Sequence, residues 1–284
     1  MGLSRILVAA DQSGDGRAAV RMGRSLARAA AARLSILEVL PSARIDGPPA
    51  GERISAPEQA ADPAVAHFLD WLGAEGSSNG DVRPQVTVGF GLPGIEITRM
   101  AHEVRADLVV LGRRPRAPDR PLVLGETADA VLRRNEIPTL FVPPDCPQLE
   151  RVLIALDATD RSAEILRRGV EVSVAAGATA IGVVTVDPEG DDGSAQRGPV
   201  SGHVLRVQQL VERFRREAKR APPITLEARR GAIVDQVLDA VSRAAAQLLV
   251  IGYRRGGPAK VVRPSDLARN LLYASATAVL TVPL

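Results

Sequence analysis

An internal duplication constrains the fold of this chain more than any other sequence feature. A β-rich run that ends in aspartate opens each half, a run that ends in glycine follows, and a run that ends in proline closes it. A repeat of this length is a whole domain rather than a solenoid unit of a few dozen residues. The matching runs are 5–11 and 151–157, 106–112 and 246–252, and 138–143 and 278–283.

Length and composition agree with two ordinary globular domains. The chain has 284 residues, of which 45% are hydrophobic and 24% are charged, so each half can bury a normal core. We predict one domain at residues 1–146 and a second at 147–284. Their cores must be aliphatic, because the sequence contains one Trp, two Tyr and four Phe. So few aromatic rings argue against a single-stranded nucleic-acid binder, which needs stacking platforms.

Charge, cysteine content and hydropathy limit the partners and the cellular location that the sequence predicts. The formal net charge is +3, and Lys219 and Lys260 are its only lysines, so the arginine excess reflects composition and predicts no nucleic-acid partner. Cys146 is the only cysteine, which excludes an intrachain disulfide. No apolar run is long enough to span a membrane, and the N-terminus has no secretion signal. These features predict a cytoplasmic protein without a membrane contact.

Short apolar, β-rich runs alternate with amphipathic helical segments throughout both halves. Continuous apolar strands are typical of parallel sheets that helices cover on both faces. We therefore predict an α/β fold with two tandem open parallel-sheet domains of five strands each. Two stretches interrupt the pattern: residues 41–62 are rich in Pro, Gly and Ala, and residues 187–199 are rich in acidic residues and Gly.

In an open parallel sheet, ligands bind beyond the carboxyl ends of the strands, where the winding reverses. Asp11 and Asp157 follow the first strand of each half, and Gly112 and Gly252 open the long loop after the fourth. That loop ends at the start of a helix. A glycine-rich loop that leads into a helix N-terminus presents backbone N–H groups to an anion and suits a phosphate.

The order of these motifs resembles the universal stress protein family over nearly all of both halves. The resemblance is strongest at residues 106–112 and 125–143, and in the second half at residues 247–252 and 265–283. It implies a five-stranded, adenine nucleotide alpha hydrolase-like sheet in each half. Many members of this family pair their last strands in a dimer. The resemblance therefore implies an intramolecular pseudo-dimer of the two halves, with further dimerisation open.

Nucleotide-binding members of the family use the aspartate after strand one, main chain at the end of strand two, and a loop. The loop reads Gly, two residues, Gly, nine residues, Gly, then Ser or Thr. The resemblance thus implies a site for ATP or another adenine nucleotide in each half. The matching positions are Asp11, Val39, Gly112, Gly125 and Thr127 in the first half and Asp157, Val186, Gly252, Arg255 and Ser265 in the second.

Both loops depart from this pattern. In the first half, Pro115 replaces the middle glycine and removes an N–H donor, Glu126 takes the place of the hydroxyl residue, and Thr127 comes one position late. In the second half, Arg255 stands at the middle glycine and Pro264 replaces the last one. We expect ATP binding to be altered or lost in both halves.

Arginines in the same loops leave two interpretations open. Their side chains can hold phosphate in place of backbone donors, or they can be solvated residues of an arginine-biased protein. The basic residues concerned are Arg113, Arg114, Arg116 and Arg120 in the first loop and Arg254, Arg255, Lys260 and Arg263 in the second.

Other polar residues have structural interpretations. Asp11 and Asp157 can cap the helices that follow them. The three histidines, His67, His102 and His203, lie far apart in the sequence, which predicts surface or packing roles rather than a metal site. No nucleophile–His–acid set is visible, so we predict no catalytic residues.

Three functional hypotheses follow from the sequence. The first is a non-catalytic stress-response sensor or adaptor with degenerate nucleotide-binding loops, in which residues 41–62 and the acidic residues 187–193 are candidate surfaces for an unknown protein partner. The second is an adenine-nucleotide (ATP, ADP or AMP) binding protein with slow hydrolysis at one surviving site. The third is a purely structural pseudo-dimer.

Overall fold

The computed structural model describes residues 2–40, 53–55, 63–74, 82–113, 125–187, 202–218, 221–253 and 267–284. The chain divides into two compact units, Met1–Cys146 and Pro147–Leu284. Arg255 and Ser265, nearly all of both arginine-rich loops and most of the two interrupting stretches lie outside the described residues.

The described residues of the first unit form five parallel strands and one short antiparallel strand. The sheet order is β3-β4-β2-β1-β5-β6, and only the β3–β4 pair is antiparallel. The winding reverses next to β1, so the carboxyl ends of β1, β2 and β5 meet there. The elements are β1 (Arg5–Ala9), α1 (Gly14–Ala30), β2 (Arg33–Leu40), β3 (Arg53–Ser55), α2 (Pro63–Ala74), β4 (Gln85–Phe90), α3 (Pro93–Glu103), β5 (Leu108–Gly112), α4 (Glu126–Arg134) and β6 (Thr139–Val142).

In the second unit, the part of the chain that the structure describes forms five strands, all parallel. Within it the strands follow the order β11-β10-β7-β8-β9. The elements are β7 (Arg151–Ala155), α5 (Ser162–Ala176), β8 (Ala180–Asp187), α6 (Gly202–Glu217), β9 (Ile224–Arg230), α7 (Ile233–Arg243), β10 (Leu248–Tyr253), α8 (Leu267–Ala274) and β11 (Ala278–Pro283).

The predicted α/β fold with two tandem parallel-sheet domains is confirmed. Successive residues of Leu108–Val110 are all buried, and because they point to opposite faces of the sheet, both faces are covered. Two details differ from the prediction. Strand β3 lies within the stretch 41–62, where no element was expected, and α5 begins at Ser162, whereas the sequence pattern predicts a helix from Thr159.

The first helix of each unit lies on the first strand through a glycine. A Cβ atom on Gly23 in α1 would lie 2.2 Å from Val8 Cγ2 in β1, and a Cβ atom on Gly169 in α5 would lie 2.7 Å from Ile154 Cδ1 in β7. Both distances are shorter than a carbon–carbon contact allows. A larger residue at either position would lift the helix from the sheet.

The outer strands of the two units differ in exposure. In β4, which pairs with β3 on one side, every residue from Val86 to Phe90 is buried. In β9, most residues are exposed or half-buried. Arg229 of β9 is held by Glu227, with 2.8 Å between Nε and Oε1, and by Asp239 of α7, with 2.5 Å between Nη1 and Oδ2.

None of the helices in the described ranges combines the length and the apolar character that crossing a membrane requires.

Helices α3 and α4 pack closely at Gly94, which gives a stability prediction. An alanine at position 94 would place its Cβ 2.3 Å from the Cβ of Ala130, so we expect Gly94→Ala to destabilise the protein by about 1–3 kcal/mol. In urea unfolding, Ala130→Gly should be less harmful in the Gly94→Ala background than in the wild type. Gly73→Ala in α2 is the matched control, because nothing lies within 4 Å of its added Cβ. Equal stability of Gly94→Ala and wild type would contradict the close packing.

Candidate functional site

In the turn between β1 and α1, Ser13 donates hydrogen bonds to the Asp11 carboxylate. The exposed carboxylate of Asp11 accepts hydrogen bonds from the Ser13 backbone N–H, at 3.2 Å, and from the Ser13 hydroxyl. Ser13 is the N-cap of α1, and its Oγ accepts the Gly16 N–H at 3.2 Å. Asp11 therefore orients the capping residue and does not cap the helix itself.

In the equivalent turn between β7 and α5, the exposed Asp157 carboxylate bonds to two hydroxyls. Oδ1 of Asp157 accepts a hydrogen bond from Thr159 Oγ1 at 2.7 Å and lies 3.1 Å from Oγ of the buried Ser162. The Ser162 hydroxyl also contacts the Asp157 carbonyl oxygen. The N-cap of α5 is Arg161, which makes no side-chain capping bond. Each aspartate thus accepts two hydrogen bonds at one carboxylate oxygen, from a single serine in the first unit and from two hydroxyl residues in the second.

The glycines at the ends of β5 and β10 have different neighbours. A Cβ atom on Gly112 would lie 2.4 Å from the carbonyl oxygen of Asp15 in the first turn of α1. A Cβ atom on Gly252 would lie 2.5 Å from Ile165 Cδ1 and 3.0 Å from Leu284 Cδ1. Both glycines are therefore required by packing. The space beside Gly252 is filled by aliphatic side chains, which fits poorly with a phosphate at that point.

Arg113 is the one residue of the first arginine-rich loop that the structure describes. It is only 8% exposed, and its backbone N–H donates to the Val142 carbonyl at 2.8 Å. Burial lowers the pKa of the Arg113 guanidinium, and the nearby Cys146 acts in the opposite direction. The solvated-loop interpretation is wrong for Arg113. The equivalent residue after Gly252 is a buried tyrosine, Tyr253.

The start of α4 is acidic. Gly125 is the N-cap and is exposed, none of the described residues has an atom within 4 Å of a Cβ built on it, and Thr127 is half-buried in the first turn. Glu126 and Asp129 also belong to this turn, and Asp129 Oδ2 lies 2.5 Å from Arg133 Nη2. Two carboxylates at a helix N-terminus complement its dipole and disfavour a bound phosphate.

Next to Val39 lies a buried charged residue, Glu38, which was not predicted as a site residue from the sequence. Val39 is half-buried and pairs with Gly89, whereas the preceding Glu38 is only 4% exposed. Gln12 Nε2 donates to Glu38 Oε1 at 3.1 Å. Within the described residues, Oε2 of Glu38 has no hydrogen-bond partner. Glu38 was detectable as the one charged residue in the apolar run 34–40.

Burial raises the pKa of Glu38, and its neighbours modify that effect. The hydrogen bond from Gln12 and the charge of His67 in α2 act to lower the pKa, while the charge of Asp11 acts to raise it. The carboxyl group thus lies between the β1–α1 turn and α2.

In the second unit, the residue at the position of Glu38 has a hydrogen-bond partner within the unit. Thr185 is the sixth residue of β8, as Glu38 is of β2, and it is fully buried. Its Oγ1 lies 2.8 Å from Nε2 of His203 in α6. Val186, the predicted contact that follows it, is also buried. The predicted packing role of a histidine holds for His203. In the part of the chain that the structure describes, no group of three or more His, Cys, Asp or Glu residues can hold a metal ion.

The family comparison matches both units. The Universal stress protein family model fits the sequence twice, over residues 2–143 and 148–283. The chain belongs to the universal stress protein family. It is a stress-response protein with two universal stress protein domains in tandem, as the sequence motifs predict.

Solved structures are similar to this chain over nearly its whole length or over about half of it. A universal stress protein from Archaeoglobus fulgidus DSM 4304 is 15% identical, with 98% of each chain covered and a TM-score of 0.70. A functionally unknown protein from Pseudomonas aeruginosa PAO1 is 17% identical, with 99% of this chain and 92% of that chain covered and a TM-score of 0.63. A universal stress protein in complex with cAMP is 22% identical and covers 51% of this chain and all of its own, with a TM-score of 0.35. No curated protein matches the sequence.

The different neighbours of Gly112 and Gly252 predict different responses to alanine. Gly112→Ala should cost about 3 kcal/mol or more, because the backbone of Asp15 cannot move aside without displacing α1. Gly252→Ala should cost about 1–2 kcal/mol, and adding Ile165→Val should recover part of the loss by removing the clashing Cδ1. Urea unfolding of the four proteins measures both effects. No recovery by Ile165→Val would contradict the packing role of Gly252.

The environment of Glu38 predicts a pH-dependent stability difference. Because the pKa of Glu38 is raised in the folded state, folding favours the protonated carboxyl, and ionisation at neutral pH destabilises the protein. Glu38→Gln should therefore be more stable than wild type near neutral pH, by about 1 kcal/mol. The difference should shrink as the pH falls through the raised pKa toward the ordinary range of glutamate. Urea unfolding of both proteins across this range tests the sign, with the exposed Glu150→Gln as control.

Proposed function

We propose that the chain is a non-catalytic sensor or adaptor of the stress response, in which nucleotide binding is altered in the first unit and lost in the second. The observation that carries this proposal is the packing beside Gly252 in the second unit. Ile165 and Leu284 lie where a Cβ atom on Gly252 would stand, and two hydroxyls of the β7–α5 turn hydrogen-bond one oxygen of the exposed Asp157 carboxylate. A ligand at this position would have to displace side chains that the fold itself uses.

In the first unit, nucleotide binding is disfavoured less strongly than in the second. Asp11 is engaged by Ser13, and the first turn of α4 carries Glu126 and Asp129. These features disfavour a triphosphate held in the way the family's nucleotide binders hold it. Among the described residues, however, no atom lies within 4 Å of a Cβ built on Gly125, and Oε2 of Glu38 has no hydrogen-bond partner. Altered binding in this unit agrees with both sets of features.

A second candidate function is adenine-nucleotide binding, with slow hydrolysis, through the first unit alone. The start of α4 favours it, because none of the described residues has an atom within 4 Å of a Cβ built on Gly125. The protein partner, the pairing of the last strands within the chain, further dimerisation and a cytoplasmic location stay predictions of the sequence.

Calorimetry with ATP, ADP, AMP and cAMP tests the first proposal against the second. We expect no hydrolysis and at most one bound nucleotide per chain. The Asp157→Ala substitution should leave the heats of nucleotide binding unchanged. It should instead lower the free energy of unfolding by about 1 kcal/mol, because its hydrogen bonds are lost. Chromatography of the same samples measures turnover.

Two outcomes would overturn the sensor proposal. Binding of two nucleotides per chain would show that the second site is open. Micromolar binding of ATP that Asp11→Ala abolishes, with steady release of ADP, would establish the second candidate in its place. Asp157→Ala serves as the matched control for Asp11→Ala, because both aspartates occupy the same position in their units.

A further inference from the structure

The side chain of Glu38 points toward the face of the sheet that α1 covers. A Cβ atom on Gly23 in α1 would lie 3.8 Å from Cδ1 of Leu34 in β2, so Leu34 faces this helix. Alternate residues of a strand share a face, which places Ile36 and Glu38 on the side of Leu34. Ile36 is fully buried, and Glu38 is buried as well. The carboxyl group of Glu38 therefore lies under a layer of helices.

Helix α2 belongs to the same layer, because two arginines of α1 contact it. Nη2 of Arg24 donates a hydrogen bond to the carbonyl oxygen of Leu72 at 3.4 Å, and Cζ of Arg17 lies 5.7 Å from the centre of the Trp71 ring. The Trp71 ring also stacks on Phe68, with 5.6 Å between the two ring centres, and Phe68 is fully buried. Helix α2 is thus docked beside α1 on the covered face of the sheet.

Two buried polar atoms in this layer make the docking of α2 less favourable. Among the described residues, neither Oε2 of Glu38 nor Nε1 of Trp71 has a hydrogen-bond partner. Gln12 donates only to the other carboxyl oxygen, Oε1, at 3.1 Å. A buried polar atom without a partner destabilises the state that buries it. Water would reach both atoms if α2 moved away.

The charges around Glu38 come from the turn before α1 and from α2 itself. Asp11 in the turn and His67 in α2 act on the carboxyl group with opposite signs. On the neighbouring strands, the apolar Val88 of β4 pairs with Glu38, and Arg5, the charged residue of β1, lies at the opposite end of its strand. Burial outweighs the attraction of His67 and raises the pKa of Glu38.

This environment links the docking of α2 to the uptake of a proton. An ionised carboxylate is more costly to bury than a neutral carboxylic acid. The pKa of Glu38 is raised in the docked state, and it returns toward the ordinary value of glutamate when water reaches the group. A fall in pH through this range therefore favours docked α2, and a rise in pH favours its release.

We propose that protonation of Glu38 controls the position of α2: the neutral carboxyl group keeps the helix docked on the first unit, and the ionised carboxylate loosens it. Release of α2 would uncover the rings of Phe68 and Trp71. The device belongs to the first unit alone, since the second unit has Thr185 at the equivalent position, bonded to His203. It requires no ligand and does not rest on the proposed function.

Native-state hydrogen exchange of the full chain at several pH values tests this control. Division of each measured rate by the intrinsic rate at the same pH gives the protection of the α2 amides, which reports how often the helix opens. We expect this protection to be about fivefold higher below the titration range of Glu38 than at neutral pH, the factor that one poorly bonded buried charge provides. Low concentrations of urea should accelerate exchange in β1 but not in α2, because a local opening exposes little surface.

Variants at Glu38 and His67 separate this device from general stability. In Glu38→Gln, the protection of α2 should be high at every pH. His67→Gln should move the transition to higher pH, because the charge of His67 acts to lower the pKa of Glu38. Glu150→Gln and His102→Gln, both at exposed positions, are the matched controls and should retain the wild-type profile.

Several results would overturn the control of α2 by Glu38. They are protection of α2 that is independent of pH, protection that rises with pH, and pH dependence that persists in Glu38→Gln. Exchange of α2 at the same protection as β1 under all conditions would also overturn it, since the helix would then open only when the whole unit unfolds. Binding or turnover of nucleotide changes none of these results, so the proposed function stands or fails separately.

Discussion

The contact of the first helix with the first strand through a glycine determines how each unit is built. Gly23 brings α1 onto Val8, and Gly169 brings α5 onto Ile154, at separations that no side chain would permit. With the helix this close, its N-terminal turn meets the ends of the neighbouring strands. Gly112 then touches the backbone of Asp15, and Gly252 touches Ile165. The geometry around both aspartates follows from this packing.

Most of the fold could be predicted from the sequence because the strands are continuous apolar runs and the helices are amphipathic. Strand β3 could not, since it is three residues long and forms only by pairing with β4. The start of α5 was also misplaced. Hydroxyls near Asp157 hold a turn there, and such hydroxyls compete with the helical backbone.

The candidate site was predictable in outline and not in detail. Gly112 and Gly252 could be identified as the openings of loops, but their neighbours could not, because a backbone carbonyl in one unit and an aliphatic side chain in the other come from distant parts of the sequence. Glu38 stood out only as a charge in an apolar strand. Its missing partner, and the His203 partner of Thr185, are visible only in three dimensions.

The exposed strand β9 has a consequence for how the chain behaves among its own copies. An edge strand with free backbone groups is a template for strand addition, and inward or clustered charges are a common protection against it. The exposed Glu227, which bonds to the buried guanidinium of Arg229, and the exposed Arg230 put charged groups along this edge. Aggregation through β9 would have to bury these charges, so the polar outer strand acts as a barrier to misassembly.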